Sequence, residues 1–97
     1  MKFEVNKNII NINTPLISIN DSEELLKILQ QVSSKYKSLI ININNSFSLP
    51  STIIGELELL RDKNIEITIN VKDEILFELF QDLKLDEIFN INFKGEK

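Results

Sequence analysis

The stretch LIININNSFSLPSTIIGELELL, residues 39–60, decides the fold because it joins a buried strand to a helix through a short polar loop. Side chains alternate over residues 38–44 in the way that is typical of a strand with one buried face. Residues 45–50 form the loop, and Ser51 opens the helix. The side chains that define the two buried faces are Leu39, Ile41 and Ile43 in the strand, and Ile53, Leu57 and Leu60 in the helix, with Ile54 at its flank. The stretch therefore predicts a strand, a loop and a helix in direct succession.

The segment before this stretch predicts a hairpin followed by a helix. Side chains alternate over residues 2–6 and 10–13, and Asn6-Lys7-Asn8 between them supplies a turn because Asn tolerates positive φ. Leu16 to Ile19 is either a third short strand or an irregular lead-in to the helix. Asp21 is expected to cap that helix. The apolar stripe of the helix consists of Leu25, Leu26, Ile28, Leu29, Val32 and Tyr36.

The segment after the stretch predicts two more strands with a helix between them. The preceding helix ends near Asn64, a residue type that takes the left-handed closing conformation. Residues 65–70 alternate as a strand, and Asp73 opens a third helix. One further helical turn is expected over residues 86–89, and a last strand over 90–93. The side chains expected to be buried in the third helix are Ile75, Leu76, Leu79, Phe80 and Leu83.

The order of these elements predicts the topology of the sheet. Strand, helix, strand and helix from residue 38 onward call for parallel strands joined by right-handed crossovers. Each strand keeps Asn, Glu or Thr on one face, whereas strands covered on both faces are usually apolar throughout. We therefore expect one α/β domain over residues 1–97. It has a small mixed sheet, an N-terminal hairpin and helices mainly on one face of the sheet.

The composition disfavours several classes of function. The absence of Cys and His removes thiolate chemistry, the usual general base and the usual metal ligand. Two Gly residues cannot form a Gly-rich phosphate loop, and a net charge of −4 without a basic run disfavours nucleic acid as a partner. The start MKFEVNKNII lacks the apolar run of a signal peptide, and no segment approaches the ~18 apolar residues of a membrane span. We expect a cytoplasmic protein that is not an enzyme and uses no cofactor or metal.

Three sets of side chains are candidates for function. The carboxylates fit solvated helix caps and faces, and no spacing among them predicts a metal site. Leu59 and Phe77 fall off the apolar stripes of their helices. Helix rotation or the C-terminal end of the chain covers them, or they are single exposed side chains, or they belong to a protein-binding surface. Ser51 is either a plain N-cap or a site where a helix N-terminus accepts added negative charge.

Three segments carry a family resemblance. Residues 39–44, LIININ, align without gaps to a strand of the type vvlDlsgv, and residues 50–57, PSTIIGEL, align to the helix-opening motif DSSGLGxL. Residues 71–91, VKDEILFELFQDLKLDEIFNI, resemble a tail of the type vspevrelLeltgLdklfpi. Together these segments resemble the STAS domain of anti-sigma-factor antagonists. In this alignment Ser51 falls on the phosphorylated serine of the family, and Thr52 falls on the second serine.

The resemblance implies a regulatory protein-binding module. In that family the unphosphorylated domain binds an anti-sigma factor, an ATPase-type serine kinase, and thereby frees a sigma factor. Phosphorylation of the helix-start serine blocks this binding. Here the phosphorylated residue would be Ser51, with Thr52 as a secondary site. The partner-binding residues that the resemblance implies are Ser46, Phe47, Ser48, Pro50, Thr52, Gly55, Glu56 and Leu59.

Four residues depart from the family pattern. Asn42 and Pro50 stand where Asp is usual, and Ile53 and Lys84 stand where Gly is usual. These departures leave an alternative open. In it, the domain is a non-phosphorylated STAS scaffold subunit of a stressosome or of a lipid-transport ABC complex, bound to another ATPase-type protein. Neither nucleic-acid binding nor membrane insertion is expected in either case, and the oligomeric state stays open.

Overall fold

The computed structural model of the protein describes residues 2–95. Within that range the chain forms five strands, three α-helices and one 3-10 turn. Their bounds are β1 Phe3–Asn6, β2 Ile9–Ile12, α1 Ile19–Ser33, β3 Ser38–Ile43, α2 Ser51–Asp62, β4 Glu66–Val71, α3 Glu74–Asp82, the 3-10 turn Leu85–Glu87 and β5 Asn90–Phe93.

The strands form a mixed sheet whose spatial order, β1-β2-β3-β4-β5, is also their order in the chain. β1 runs antiparallel to β2, and every later neighbour pair is parallel. The predicted α/β class, the N-terminal hairpin and the parallel pairing of β3 with β4 are therefore confirmed. The hairpin turn lies where it was predicted, but the predicted reason is wrong: the residue with positive φ is Lys7, at 57°, and neither Asn6 nor Asn8 adopts that conformation.

One face of the sheet carries the core. Ile10, Ile41 and Ile69 are in register on adjacent strands, and all three are buried. The buried side chains of the helices, such as Leu29 and Leu57, belong to the same apolar cluster. The opposite face of the sheet shows half-buried and exposed side chains, most of them polar. The helices thus cover one face, as the alternation along the strands predicts.

Ser18, and not Asp21, caps α1. The Ser18 Oγ accepts a hydrogen bond from the Asp21 backbone N–H at 3.0 Å, so the helix begins at Ile19, earlier than predicted. The predicted cap at Asp21 is wrong because Asp21 already lies in the first turn, where its carboxylate pairs with Lys2 at 3.0 Å. The preceding residues 16–18 are an irregular lead-in, as one of the two predicted alternatives had it.

α2 begins at Ser51, and Pro50 occupies the N-cap position. The interpretation of Ser51 as an N-cap is therefore wrong: Ser51 is the first helical residue. The inner face of the helix consists of buried Ile53, Leu57 and Leu60, as predicted. Asn64 closes the helix with a left-handed φ of 68°, which is also as predicted.

α3 is rotated about its axis relative to the prediction. Its cap is the expected one, because the Asp73 carboxylate accepts from the Leu76 N–H at 2.8 Å. Leu76 and Phe80 are buried, and Phe77 packs against Phe93 with ring centroids 5.3 Å apart. An aromatic pair stabilises a fold beyond the burial of its apolar area. The pairing with Phe93 therefore favours a rotation of α3 that turns Phe77 and Phe80 inward. The predicted burial of three other residues is therefore wrong, since Ile75, Leu79 and Leu83 are exposed.

A row of four asparagines crosses the face of the sheet that the helices leave uncovered. The asparagine row consists of Asn11, Asn42, Asn70 and Asn92, which are in register on β2 to β5. The side-chain amides of Asn42, Asn70 and Asn92 donate to the oxygen of the preceding strand's asparagine, at 2.8, 2.8 and 3.1 Å respectively. The row satisfies polar groups that would otherwise disfavour Asn in central strands.

Candidate functional site

The candidate site lies at the sheet edge where the parallel strands end. β2, β3 and β4 all end at this edge, and residues 13–18, 44–50 and 72–73 continue from them. In open α/β sheets this carboxyl edge is the usual place for ligands and partners. α2 also starts here, so Ser51 lies beside the lead-in of α1, while residues 72–73 lie on the side of Phe47.

The loop before α2 is held by a buried hydroxyl. The Ser46 Oγ donates to the Ser48 carbonyl at 2.7 Å and accepts from the Leu16 N–H at 3.1 Å. These bonds join the loop to the lead-in of α1. Leu49 is buried below them and belongs to the core. Ser46 was predicted to contact a partner, but its side chain lies inside the loop and fixes the shape of that loop. Ser48 is half-buried beside it.

Ser51 and Thr52 line a groove between the starts of α1 and α2. The groove has a volume of about 400 Å³. Its other wall is mostly apolar and includes Ile17 and Ile19, which are 75% and 77% exposed, but Glu23 also lines it. Pro50 forms part of its floor. Both hydroxyl-bearing residues are exposed to solvent.

The N-terminus of α2 has no side-chain cap. The first amides of any helix lack intrahelical acceptors. In α1 and α3 a Ser or Asp side chain accepts from one of them, but Pro50 has no polar side chain to do so. The Pro50 carbonyl accepts from the Ile53 and Ile54 amides at 3.0 and 3.1 Å. Ser51 therefore sits on a turn whose dipole and amides favour nearby negative charge.

A flat strip runs from Ser51 along the exposed side of α2. Gly55 and Leu59 follow Ser51 at i+4 and i+8 and therefore share its face. A Cβ built on Gly55 would meet no atom within 4 Å, so nothing inside the domain requires a glycine there. Leu59 is 57% exposed, which settles its position in favour of an exposed apolar side chain. Glu56 is half-buried at the side of this strip.

Phe47 stands apart from the groove on the other side of the loop. Its ring is 60% exposed and lines a shallow depression with Pro15, Asn44 and Lys72. Two residues, Leu59 and Phe77, were predicted to lie off the apolar stripes of their helices. Phe77 is covered by Phe93 of β5, near the C-terminal end of the chain, whereas Leu59 is exposed. The carboxyl edge therefore presents Phe47 on one side of the loop and the Ser51 groove on the other.

Sequence reasoning missed Ile17 and Ile19 as parts of the site. Their spacing of two residues is typical of a strand, which is why Leu16 to Ile19 fitted a strand as well as a lead-in. Only the position of Ser18 as the helix cap turns both isoleucines outward beside Ser51. The available signal was Ser18 itself, which precedes Asp21 by three residues, the spacing at which an N-cap side chain bonds the third helical amide.

The electrostatics of the site are simple. The Lys2 ammonium donates to Asp21 and lowers the pKa of that carboxyl, with a smaller contribution from the Ser18 hydroxyl; burial opposes both. Within residues 2–95, no group of three acidic side chains is placed to hold a metal ion. The arrangement offers an exposed serine at a helix N-terminus, beside a mostly apolar groove that also contains the Glu23 carboxylate, and the apolar area of such a groove suits protein binding.

Comparisons with protein-family models, curated proteins and solved structures gave no match to this chain. Across residues 2–95, no helix has the length and apolar character needed to cross a bilayer.

Proposed function

We propose that the protein is a STAS-like regulatory module that binds an ATPase-type serine kinase of the anti-sigma-factor class and is released when Ser51 is phosphorylated. The observation that carries the proposal is the setting of Ser51. It is an exposed hydroxyl on the first turn of α2, in a groove whose opposite wall is mostly apolar and carries one carboxylate, that of Glu23. The resemblance to anti-sigma-factor antagonists places their phosphorylated serine at this position. The proposed contact surface comprises Phe47, Pro50, Thr52, Gly55, Glu56 and Leu59.

The unphosphorylated groove suits a protein partner. Ile17 and Ile19 offer exposed aliphatic area next to Ser51. Interface centres are depleted in charge and gain binding free energy from desolvated apolar contacts. Gly55 lets a partner backbone or a large side chain approach α2 closely, because no Cβ projects there.

Phosphorylation would reverse these properties without disturbing the fold. The γ-phosphoryl group of ATP moves to the Ser51 Oγ, ADP leaves, and the hydroxyl proton passes to solvent or to a base of the kinase. The new group carries about −1.5 to −2 charge. The amides of the first turn of α2 stabilise it there. A partner that buries the apolar groove must then desolvate a dianion, which opposes binding.

Phosphorylation itself can be tested by comparing the wild type with two variants that each lack one of two neighbouring hydroxyls, Ser51→Ala and Thr52→Ala. The kinase is the ATPase-type serine kinase encoded nearest to this gene, incubated with ATP and each protein before intact-mass analysis. We expect one phosphate on the wild type and on Thr52→Ala, and none on Ser51→Ala. A phosphate that persists on Ser51→Ala but is lost on Thr52→Ala would move the switch to Thr52. No phosphate on any of the three proteins would contradict the switch.

A second candidate is the non-phosphorylated scaffold subunit of a stressosome or a lipid-transport ABC complex. Pro50 favours it, because the acidic residue that precedes the serine in the family is missing. A scaffold would use the same apolar groove as a permanent contact. It predicts a stable complex with an ATPase-type subunit that Ser51→Ala and Ser51→Asp leave equally tight, whereas the switch predicts a much weaker complex for Ser51→Asp.

A further inference from the structure

α3 presents a row of aliphatic side chains to solvent. Ile75, Leu79 and Leu83 follow one another at i, i+4 and i+8 and are 72%, 42% and 53% exposed. The inward side of the helix is occupied by Leu76 and Phe80. Single exposed aliphatic residues are ordinary, but three in one row form a contiguous patch of the kind that marks an interaction site. We call these three residues the α3 row.

The border of the α3 row is acidic. Glu78 lies three residues after Ile75, and Asp82 lies three residues after Leu79, so each acid neighbours the row on the helix surface. From Asp73 to Leu83 the sequence contains four carboxylates and neither Lys nor Arg. The surface of α3 therefore combines an apolar ridge with acidic side chains along one side, and lysines, Lys72 and Lys84, stand only beyond the two ends of the helix.

This charge distribution indicates which kind of partner binds the α3 row. An anionic membrane surface would repel the border, since lipid headgroups of the cytoplasmic leaflet attract basic segments. A second copy of the chain, joined through a two-fold axis, would place the same acidic surface against itself, and like charges facing each other cost several kcal/mol. A partner helix with an apolar stripe flanked by Lys or Arg matches both the ridge and the border.

We propose that the α3 row docks a basic amphipathic helix of a partner protein. Recognition of this kind lays the apolar face of the incoming helix on the ridge at i, i+3, i+4 and i+7 spacing. The flanking basic side chains meet Glu78 and Asp82. None of the α3 row lines the Ser51 groove, so the inference is independent of the proposed switch. It gives the domain a second binding surface, with which it bridges two proteins.

The test uses two designed helical peptides of about 20 residues, a length at which an isolated helix forms in water. Both carry leucines at i, i+3, i+4 and i+7, flanked by Lys in the first and by Glu in the second. Titration calorimetry measures their affinity for the whole domain. We expect saturable binding of the basic peptide, at least tenfold tighter than that of the acidic one and weaker at high salt. Amide shifts in NMR should map to residues 74–84.

Three variants distinguish specific binding at the α3 row from non-specific hydrophobic association. Ile75→Ser with Leu79→Ser should weaken binding of the basic peptide at least tenfold. Glu78→Lys with Asp82→Lys should invert the preference between the two peptides. Val5→Ser is the matched control, because Val5 is 48% exposed on β1 at the opposite edge of the sheet, and it should change nothing. All substituted positions are exposed or partly exposed, and an unchanged thermal midpoint verifies the fold.

Several outcomes would overturn the proposal. One is basic-peptide binding that Ile75→Ser with Leu79→Ser leaves intact, and another is no binding of either peptide. A concentration-dependent dimer in sedimentation that the same double substitution abolishes would show that a second copy occupies the row. Binding to vesicles of anionic lipid that depends on Ile75 and Leu79 would assign the row to a membrane surface.

Discussion

At the scale of single residues, one substitution at Gly55 is expected to raise the stability of the domain and to weaken its binding to the kinase. It lies within α2, where Gly is less favourable than Ala, and a Cβ would meet no atom within 4 Å. Gly55→Ala should therefore raise the free energy of unfolding by about 0.5–1 kcal/mol in urea titration. The proposed function adds that the same methyl group weakens kinase binding. A loss of stability in Gly55→Ala would contradict the open surroundings of this residue.

Asp21 gives the fold a defined dependence on acid. Lys2 lowers the pKa of the Asp21 carboxyl in the folded state, so its ionised form stabilises the protein above the ordinary pKa of about 3.9. This stabilisation is lost as the pH falls through the lower, folded pKa. Asp21→Asn should be less stable than wild type at pH 7, and the gap should close below about pH 4.

Urea unfolding at several pH values measures that gap. Glu23→Gln, an exposed carboxylate on the same turn of α1, serves as the control for removal of charge alone. A difference between wild type and Asp21→Asn that widens as the pH falls would contradict the assigned role of Lys2.

At the scale of elements, the end of α3 contains a strained residue. Lys84 follows the C-cap of the helix with φ 58° and ψ 29°, the left-handed conformation that glycine adopts most readily. The STAS pattern usually has Gly at this position. Lys84→Gly should raise the free energy of unfolding by about 0.5–1 kcal/mol, since relief of the left-handed strain exceeds the added chain entropy.

Lys63 provides the matched control for this substitution. It is an exposed lysine at the end of α2, but its φ is −91°. Lys63→Gly should therefore lower stability in the same urea titration. Equal effects of the two substitutions would contradict the strain assigned to Lys84.

The asparagine row makes the uncovered face of the sheet a cooperative element. Asn42 both donates to Asn11 and accepts from Asn70, so Asn42→Ala leaves two amides without their partner. The expected loss is about 1 kcal/mol, moderated by water at this half-buried face. A double-mutant cycle of Asn42→Ala with Asn70→Ala should show about 0.5 kcal/mol of coupling. If the coupling between Asn42 and Asn70 were no larger than that between Asn42 and exposed Asn90, the cooperativity assigned to the asparagine row would be contradicted.

The elements also show where sequence patterns suffice. Alternation predicted β1 to β4, because each of these strands has buried side chains on one face only. The same alternation at Ile17 and Ile19 left a strand and an irregular lead-in both open, since two exposed isoleucines beside a cap have the spacing of a strand. In α3, five of the nine residues are apolar, so the period does not define one inward face. The contact between Phe77 and Phe93 favours the observed rotation of α3. This contact depends on the position of β5, which the sequence of α3 alone does not give.

At the scale of the whole molecule, the topology was predictable because each connection is short and each crossover has one favoured hand. The candidate site was predictable in part. Ser51 was placed at a helix start by its motif, but the groove beside it depends on how α1 and α2 lie together. The asparagine row required the register of four strands, which no single segment contains.

The whole domain thus presents two unlike surfaces. The Ser51 groove is mostly apolar with an exposed hydroxyl at its side, and the α3 row is apolar with acidic side chains beside it. A module with two such surfaces can hold one protein on α3 while Ser51 controls another. Substitutions in the α3 row should therefore leave kinase binding at the Ser51 groove unchanged.

The most direct test of the central claim is the affinity of the kinase for the domain with phosphoserine incorporated at position 51. Calorimetry compares this form with the wild type, and NMR amide shifts verify that the fold is preserved. We expect the kinase to bind the unmodified domain and its affinity for the phosphorylated form to be about a hundredfold lower, or roughly 2.7 kcal/mol. Equal affinity of the two forms, or no binding of the unmodified domain, would contradict the proposed switch.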